Sequence, residues 1–166
     1  MTSGEFVAAV RRGRVEFESS RLAAPGGVCF AVGHLLESLL RPDEIVHYAY
    51  QISGLQSANS RWSGEVVWLL ILDAGLLLVS GQIEGTQDGR GTLRLSCRFM
   101  RRDELRSAVV ESEYQETTGH VHLAAVTLRI SFDTQDEIKV EASYPDEKVD
   151  GVVRLGRELR RLLDNP

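Results

Sequence analysis

The sequence predicts an α+β, mainly β domain whose strands form a small barrel or a curled sheet plugged by a C-terminal helix. Three observations carry this. The runs Leu93–Phe99, Leu105–Tyr114, Val126–Phe132 and Ile138–Tyr144 alternate apolar and polar residues, the pattern of strands buried on one face. The segment Asp146–Leu163 then puts Val149, Val152, Val153, Gly156, Leu159 and Leu163 on one helical stripe, opposite Asp150, Arg154, Arg157, Glu158 and Arg161. Finally, 166 residues that are 43% hydrophobic and 26% charged suit a single domain with a real core.

Along the chain, Phe6, Val10, Gly13 and Phe17 recur at helical spacing and predict a helix over Gly4–Ser19, although Arg14–Glu18 also alternates like a short strand. Leu22–Gly27 reads as a linker. A second helix over Val28–Leu40 gathers Val28, Val32, Leu35, Leu36, Leu39 and Leu40 on one face and is stopped by Pro42. Ile45–Ile52, rich in β-branched and aromatic residues, is the first strand. Gly54–Gly64 is expected as a polar loop. Val66–Leu72 and Leu76–Ile83 form a hairpin about Asp73-Ala74-Gly75, and Asp88-Gly89 marks the turn into Leu93–Phe99. Arg101–Glu104 turns the chain into Leu105–Tyr114, and Thr117-Thr118-Gly119 precedes a strand with Val126, Leu128, Ile130 and Phe132 inward. Ile138, Val140, Ala142 and Tyr144 follow as the inward face of the last of seven strands. Pro145 and Asp146 suit the first turn of the terminal helix. Gly156 in its stripe costs about 1 kcal/mol against alanine, which implies close approach of helix to sheet.

The Val66–Val79 hairpin is apolar on both faces, with Val66, Trp68, Leu70 and Leu72 on one and Val67, Leu69 and Ile71 on the other. A strand covered on one side alternates. The outer face, assigned to Val67, Leu69 and Ile71, is therefore expected to be covered by the Val28–Leu40 helix, a second subunit or a partner protein. The same stretch is the most membrane-like in the chain, but Asp73 interrupts it and it is shorter than the roughly 20 residues a span needs.

The net charge of −5 argues against broad binding to nucleic acid or anionic membrane, leaving membrane contact peripheral at most. Four arginines against three glutamates in the first 26 residues place the acidity in the main domain. Met1–Arg14 lacks the apolar core of a secretory signal, and Cys29 and Cys97 form no disulfide or metal spacing. The expectation is a cytoplasmic protein in which both cysteines are small buried hydrophobes.

From Leu35 to Leu163 the order of elements resembles the bacterial pleckstrin-homology-like (PH-like) domains. The likeness runs through Leu40-Arg41-Pro42-Asp43-Glu44-Ile45-Val46, Trp68–Asp73 with Leu76–Val79, Phe99–Ser107, Leu128–Phe132, Glu137–Ser143 and the terminal helix. It implies a seven-stranded, strongly bent antiparallel barrel plugged at one end by the helix, a scaffold for lipid headgroups, peptides, protein partners or self-assembly. It divides the chain into an N-terminal helical extension and linker over 1–33 and a PH-like domain over 34–166. Phosphoinositide-binding members carry several basic residues across the first two strands, because a phosphorylated headgroup needs clustered charge-assisted bonds. Here Gly54–Gly64 offers only Arg61.

No nucleophile elbow, zinc-protease, paired-carboxylate or Cys–His arrangement is present, so the chain is read as non-catalytic, with no cofactor. His120 and His122 share a face at a strand start, but a third metal ligand is not evident. His34 and His47 follow no spacing logic. The glycines at 81, 85, 89 and 91 match no phosphate-loop pattern. Glu111, Glu113 and Glu116 read as a solvated acidic face. Arg61 and Trp62 in a polar loop have the composition of an interface hot spot and are the candidate ligand-binding pair. Val67, Leu69 and Ile71 are the candidate partner-binding residues. Arg101 and Arg102, and Arg157, Arg160 and Arg161, suit an acidic partner. The leading expectation is a module that binds a protein partner or itself as a homo-oligomer; the alternative is an anionic headgroup or small-ligand binder.

Overall fold

The computed structural model describes residues 1–11, 18–19, 26–54, 56–58, 61–85, 91–134, 136–144 and 149–164. Three helices, α1 (Ser3–Arg11), α2 (Gly26–Leu39) and α3 (Val149–Asp164), accompany two antiparallel sheets. The first sheet runs β1 (Glu18–Ser19), β2 (Val46–Ser53), β4 (Arg61–Leu72), β5 (Gly75–Gly85) and β6 (Gly91–Arg101), with the short β3 (Gln56–Ala58) paired to the start of β4. The second is β7 (Leu105–Thr117), β8 (His120–Phe132) and β9 (Glu137–Ser143). Among the described residues only the two-residue β1 runs parallel to its neighbour.

The expected closed barrel is thus two separate sheets. Between β6 and β7 the chain is taken up by a 3-10 turn, Arg102–Glu104, whose Glu104 carbonyl accepts from the Asp133 N–H, and no β6–β7 pairing occurs among the described residues. Of the helix expected over Gly4–Ser19, the described part is Ser3–Arg11, residues 12–17 lie outside the described residues, and Glu18–Ser19 is extended. The expected loop Gly54–Gly64 holds β3 and the first residues of β4, which continue the ladder as Gln56↔Ser63, Ser57↔Trp62 and Ala58↔Arg61. The linker and Asp88-Gly89 fall largely outside the described residues. A boundary after Gly33 falls inside α2, and the N-terminal helices share a core with the first sheet.

The centre of the first sheet, Val66–Leu72 of β4 with Leu76–Val79 of β5, is covered on both faces. On one side Val66, Trp68, Leu70, Leu72, Leu77 and Val79 meet Phe6, Val10, Val32 and Leu36 of α1 and α2. Trp68 is fully buried, and its indole N–H donates to Gln51 Oε1 at 3.0 Å, which satisfies two polar groups inside that core. On the other side Tyr50, Leu69, Ile71 and Leu76 meet the inward face of the second sheet and α3. There Val126, Leu128, Ile130 and Phe132 are buried as their alternation requires. Tyr144 departs from it and is 66% exposed, because the ladder ends at the Ala125↔Ser143 pair just before it.

Helix α3 seals one side of this second core. Val152, Leu155 and Leu159 are fully buried, each contributing about 1.5–3 kcal/mol of apolar burial. The buried face is rotated from the expected stripe toward Leu155 and Leu162, leaving Val153 and Leu163 half-buried. Gly156 explains the fit: a β-carbon there lies 2.5 Å from Val110 Cγ2 and 3.5 Å from Leu128 Cδ1, so the helix backbone sits directly on β7 and β8. Among the described residues no helix is long and apolar enough to cross a membrane.

Candidate functional site

Two exposed features among the described residues concern the site: the unpaired edges of the sheets and a pocket at the C-terminal end of α3. The edges come first. β6 pairs with β5 over its whole length, Gly75↔Arg101 to Gly85↔Gly91, and bounds the first sheet on its other side. Leu93 and Leu95 pack against the helical core, whereas Cys97 and Phe99, next on that face, are exposed. The expectation that both cysteines are interior therefore holds only for Cys29, whose burial pushes its thiol pKa up; Cys97 lies where α1 and α2 no longer cover the sheet. On the opposite face Arg98 reaches across to the second sheet, donating to Thr134 Oγ1 at 3.3 Å and pairing with Asp136 at 2.5 Å. Arg94 is exposed.

β7 is the matching edge of the second sheet. Its hairpin with β8 turns at Thr118 and Gly119, both at positive φ (48° and 82°), the geometry a two-residue hairpin loop demands. The tip is solvated: Tyr114 and Val121 are exposed, as are His120 and His122, which stand opposite Thr117 and Gln115. No group of three or more metal-ligating side chains forms among the described residues. Glu111 belongs to a three-strand ion pair, since Arg129 lies 3.2 Å from both Glu111 on β7 and Glu137 on β9. Those two carboxylates hold the Arg129 guanidinium in its charged form and raise its pKa.

The pocket, of about 240 Å³, gathers residues far apart in sequence. His47 comes from an irregularity in β2, where the register shifts between Val46 and Tyr48, and Asp73 from the β4–β5 turn. The two side chains are hydrogen-bonded to each other. Glu158, Arg161 and Leu162 descend from the last turns of α3, with Arg161 Nη1 donating to Glu158 Oε1 and Oε2 at 2.7 and 3.0 Å. Arg102 enters from the 3-10 turn, anchored by its backbone N–H donating to the Ala74 carbonyl. Its Nη2 is buried and finds no hydrogen-bond partner among the described residues. A buried polar group left in that state costs on the order of 1–3 kcal/mol, more when charged. Among the described residues the lining holds no hydroxyl or thiol.

The sequence-predicted site residues fare differently. Arg61 and Trp62 start β4, but their side chains lie outside the described residues. For Val67, Leu69 and Ile71 the structure reverses the two faces of the hairpin. They point into the core shared with the second sheet; Leu69 and Ile71 are buried and Val67 is half-buried. Their role as a partner surface is corrected, because the chain itself occupies that side. The true outer face is Val66, Trp68, Leu70 and Leu72, and α2 covers it together with α1. The pocket was not visible as a unit in the sequence: His47 has no spacing logic, and only the adjacent basic pair Arg101-Arg102 hinted at it. Comparison with known protein families, curated proteins and solved structures gives no match.

Proposed function

We propose that this chain is a non-catalytic, PH-like interaction module of the cytoplasm that recognises protein through an open sheet edge, taking a strand from a partner or from a second copy. The observation that carries this reading is β6: eleven residues, Gly91–Arg101, pair on one side only among the described residues, without a proline or an acidic residue. A long, regular edge presents a row of backbone donors and acceptors ready to pair with another strand. Phe99, 46% exposed, adds an apolar anchor, and the exposed Arg94 adds positive charge. The order of four long antiparallel strands, three more and a C-terminal helix supports the PH-like reading. The exposed thiol of Cys97 suits a reducing compartment.

Size-exclusion chromatography with light scattering, over a range of concentration and salt, tests self-assembly. The expected result is a mass above that of one chain, falling with Arg94→Glu and with added salt. A single-chain mass at every concentration rejects the second copy. A pull-down from native lysate then decides the rest: proteins retained by the wild type and lost from Arg94→Glu support a partner, and no edge-dependent capture overturns the proposal.

A further inference from the structure

We infer that the strand filling the open edge of β6 is β7 of a second copy of this chain, antiparallel and in the register that sets Arg94 opposite Glu113. The inference rests on the open-edge reading of β6 and names its occupant. The backbone comes first. In an antiparallel ladder, residues that exchange hydrogen bonds with one neighbour alternate with residues whose N–H and C=O point to the other side. The Arg102 N–H donates to the Ala74 carbonyl, so in the same register Met100 and Arg98 exchange bonds with Leu76 and Leu78. Leu93, Leu95, Cys97 and Phe99 therefore direct their backbone groups off the free edge. On β7, Thr117 closes the two-residue loop with His120 and turns its groups to β8. Counting back, Glu113, Glu111 and Val109 do the same, and Ala108, Val110, Ser112 and Tyr114 direct theirs outward.

Side chains choose among the pairings. β6 carries Arg94, Arg98 and Arg101 and no acid, whereas β7 from Ser107 onward carries Glu111, Glu113 and Glu116 and no base. Two β6 edges together bring arginines near arginines, two β7 edges bring glutamates near glutamates, and like charges across a ladder are unfavourable. The mixed pair joins opposite signs. Within the chain Arg98 already meets Asp136, and Glu111 meets Arg129. Arg94 and Glu113 are exposed and carry no ion pair among the described residues. Setting these two opposite each other also places Leu95 opposite Ser112, which pairs the outward backbone groups of both strands. The same register lays the exposed Cys97 and Phe99 beside Val110 and Ala108 of the second copy, and Leu93 beside its exposed Tyr114. Both halves of the match lie in one sequence and, among the described residues, do not pair within it, which is what a head-to-tail contact between copies requires.

Sedimentation of the full chain over a range of concentration tests the inference with four variants: Arg94→Glu, Glu113→Arg, the two together, and Ser112→Pro. The wild type is expected to associate, and each single charge reversal to weaken that association by at least about fivefold. The double variant is expected to recover most of the loss, because opposite charges again face each other with their places exchanged. Ser112→Pro removes an outward N–H and leaves the β7–β8 ladder its bonds, so it is expected to weaken association as well. The charge variants sit at exposed positions and carry the test if Ser112→Pro does not fold. Glu113→Arg associating as tightly as wild type while Arg94→Glu is dispersed overturns β7 as the occupant and leaves the open β6 edge standing. A double variant no tighter than Arg94→Glu overturns the register and the inference with it. A single-chain mass at every concentration overturns the second copy, and the open edge then stands only if Arg94→Glu abolishes capture of a different protein.

Discussion

The two long hairpins of this chain, β4–β5 and β7–β8, are built from the same kind of ladder and live in opposite environments. From Val66 to Val79 the β4–β5 hairpin is covered on both faces, pressed between α1 and α2 on one side and the second sheet with α3 on the other. The β7–β8 hairpin has one covered face, which thins out at the half-buried Leu123; beyond it the strands run into solvent, with every residue from Glu111 to His122 exposed. The difference shows where this protein invests its stability and where it leaves surface available. A strand with two apolar faces is structural, however much it looks like a docking surface in the sequence.

The largest effects of mutation therefore belong to β4. Trp68→Ala is expected to destabilise the fold by about 3–5 kcal/mol and Leu69→Ala by about 2–5 kcal/mol, the range for truncating fully buried side chains. On β7, Val109→Ala is expected to stay within about 0.5 kcal/mol, since Val109 is 47% exposed on the solvent side of the ladder. Urea unfolding followed by circular dichroism measures all three. A small loss at Leu69 reinstates that face as a surface; a large one at Val109 puts an unseen contact on the second sheet.

Hydrophobic patterning explains how much of this could be read beforehand. β8 and β9 alternate because one side is wet, so Val126, Leu128, Ile130, Phe132, Val140 and Ala142 could be assigned inward from sequence alone. The two-sided hairpin could be recognised as covered, and the Val28–Leu40 helix named among its covers. Which face meets which cover could not be read, because parity within an all-apolar strand carries no label. The distinction comes from register: Gln51↔Trp68 places Trp68 beside the helices, and Tyr50↔Leu69 turns Leu69 toward α3. The break between β6 and β7 was equally hidden, since Arg101–Glu104 reads as a turn whether or not the strands beside it pair. The pocket escaped for a different reason. Residues 47, 73, 102, 158 and 161 meet only after both sheets and α3 are assembled, and no local pattern announces that.

The boundary between the dry and wet parts of the second sheet is the contact of Gly156 with Val110, and it gives a test of intermediate size. Alanine gains about 1 kcal/mol of helix propensity over glycine, but here its β-carbon must displace a stiff, β-branched neighbour. Overpacking of this kind costs about 1–3 kcal/mol, so Gly156→Ala alone is expected to be destabilising. With Val110→Ala the obstruction is gone and the same change is expected to stabilise. Thermal unfolding of the four combinations reads the coupling, expected at about 0.5–3 kcal/mol. Additive effects are inconsistent with α3 resting on β7 at this point.

The smallest effect lies at the seam where the two sheets approach without pairing. Arg98 of β6, with Thr134, holds the Asp136 carboxylate below the ordinary aspartate range, the guanidinium being the main cause. The sign of the pH dependence follows. A carboxyl group whose folded pKa is depressed contributes stability above its unfolded pKa, and that contribution is lost as pH falls through the folded one. Arg98→Gln is therefore expected to be slightly less stable than wild type at neutral pH and equal to it in strong acid. Both partners are exposed, so the direct measurement is the Asp136 titration midpoint by NMR, expected below that of a free aspartate and moving up in Arg98→Gln. An unchanged midpoint means that Arg98 does not tie β6 to the β8–β9 turn. In that case β6 is held by its ladder with β5 and by the core packing of Leu93, Leu95 and Met100, with no ion pair across the seam.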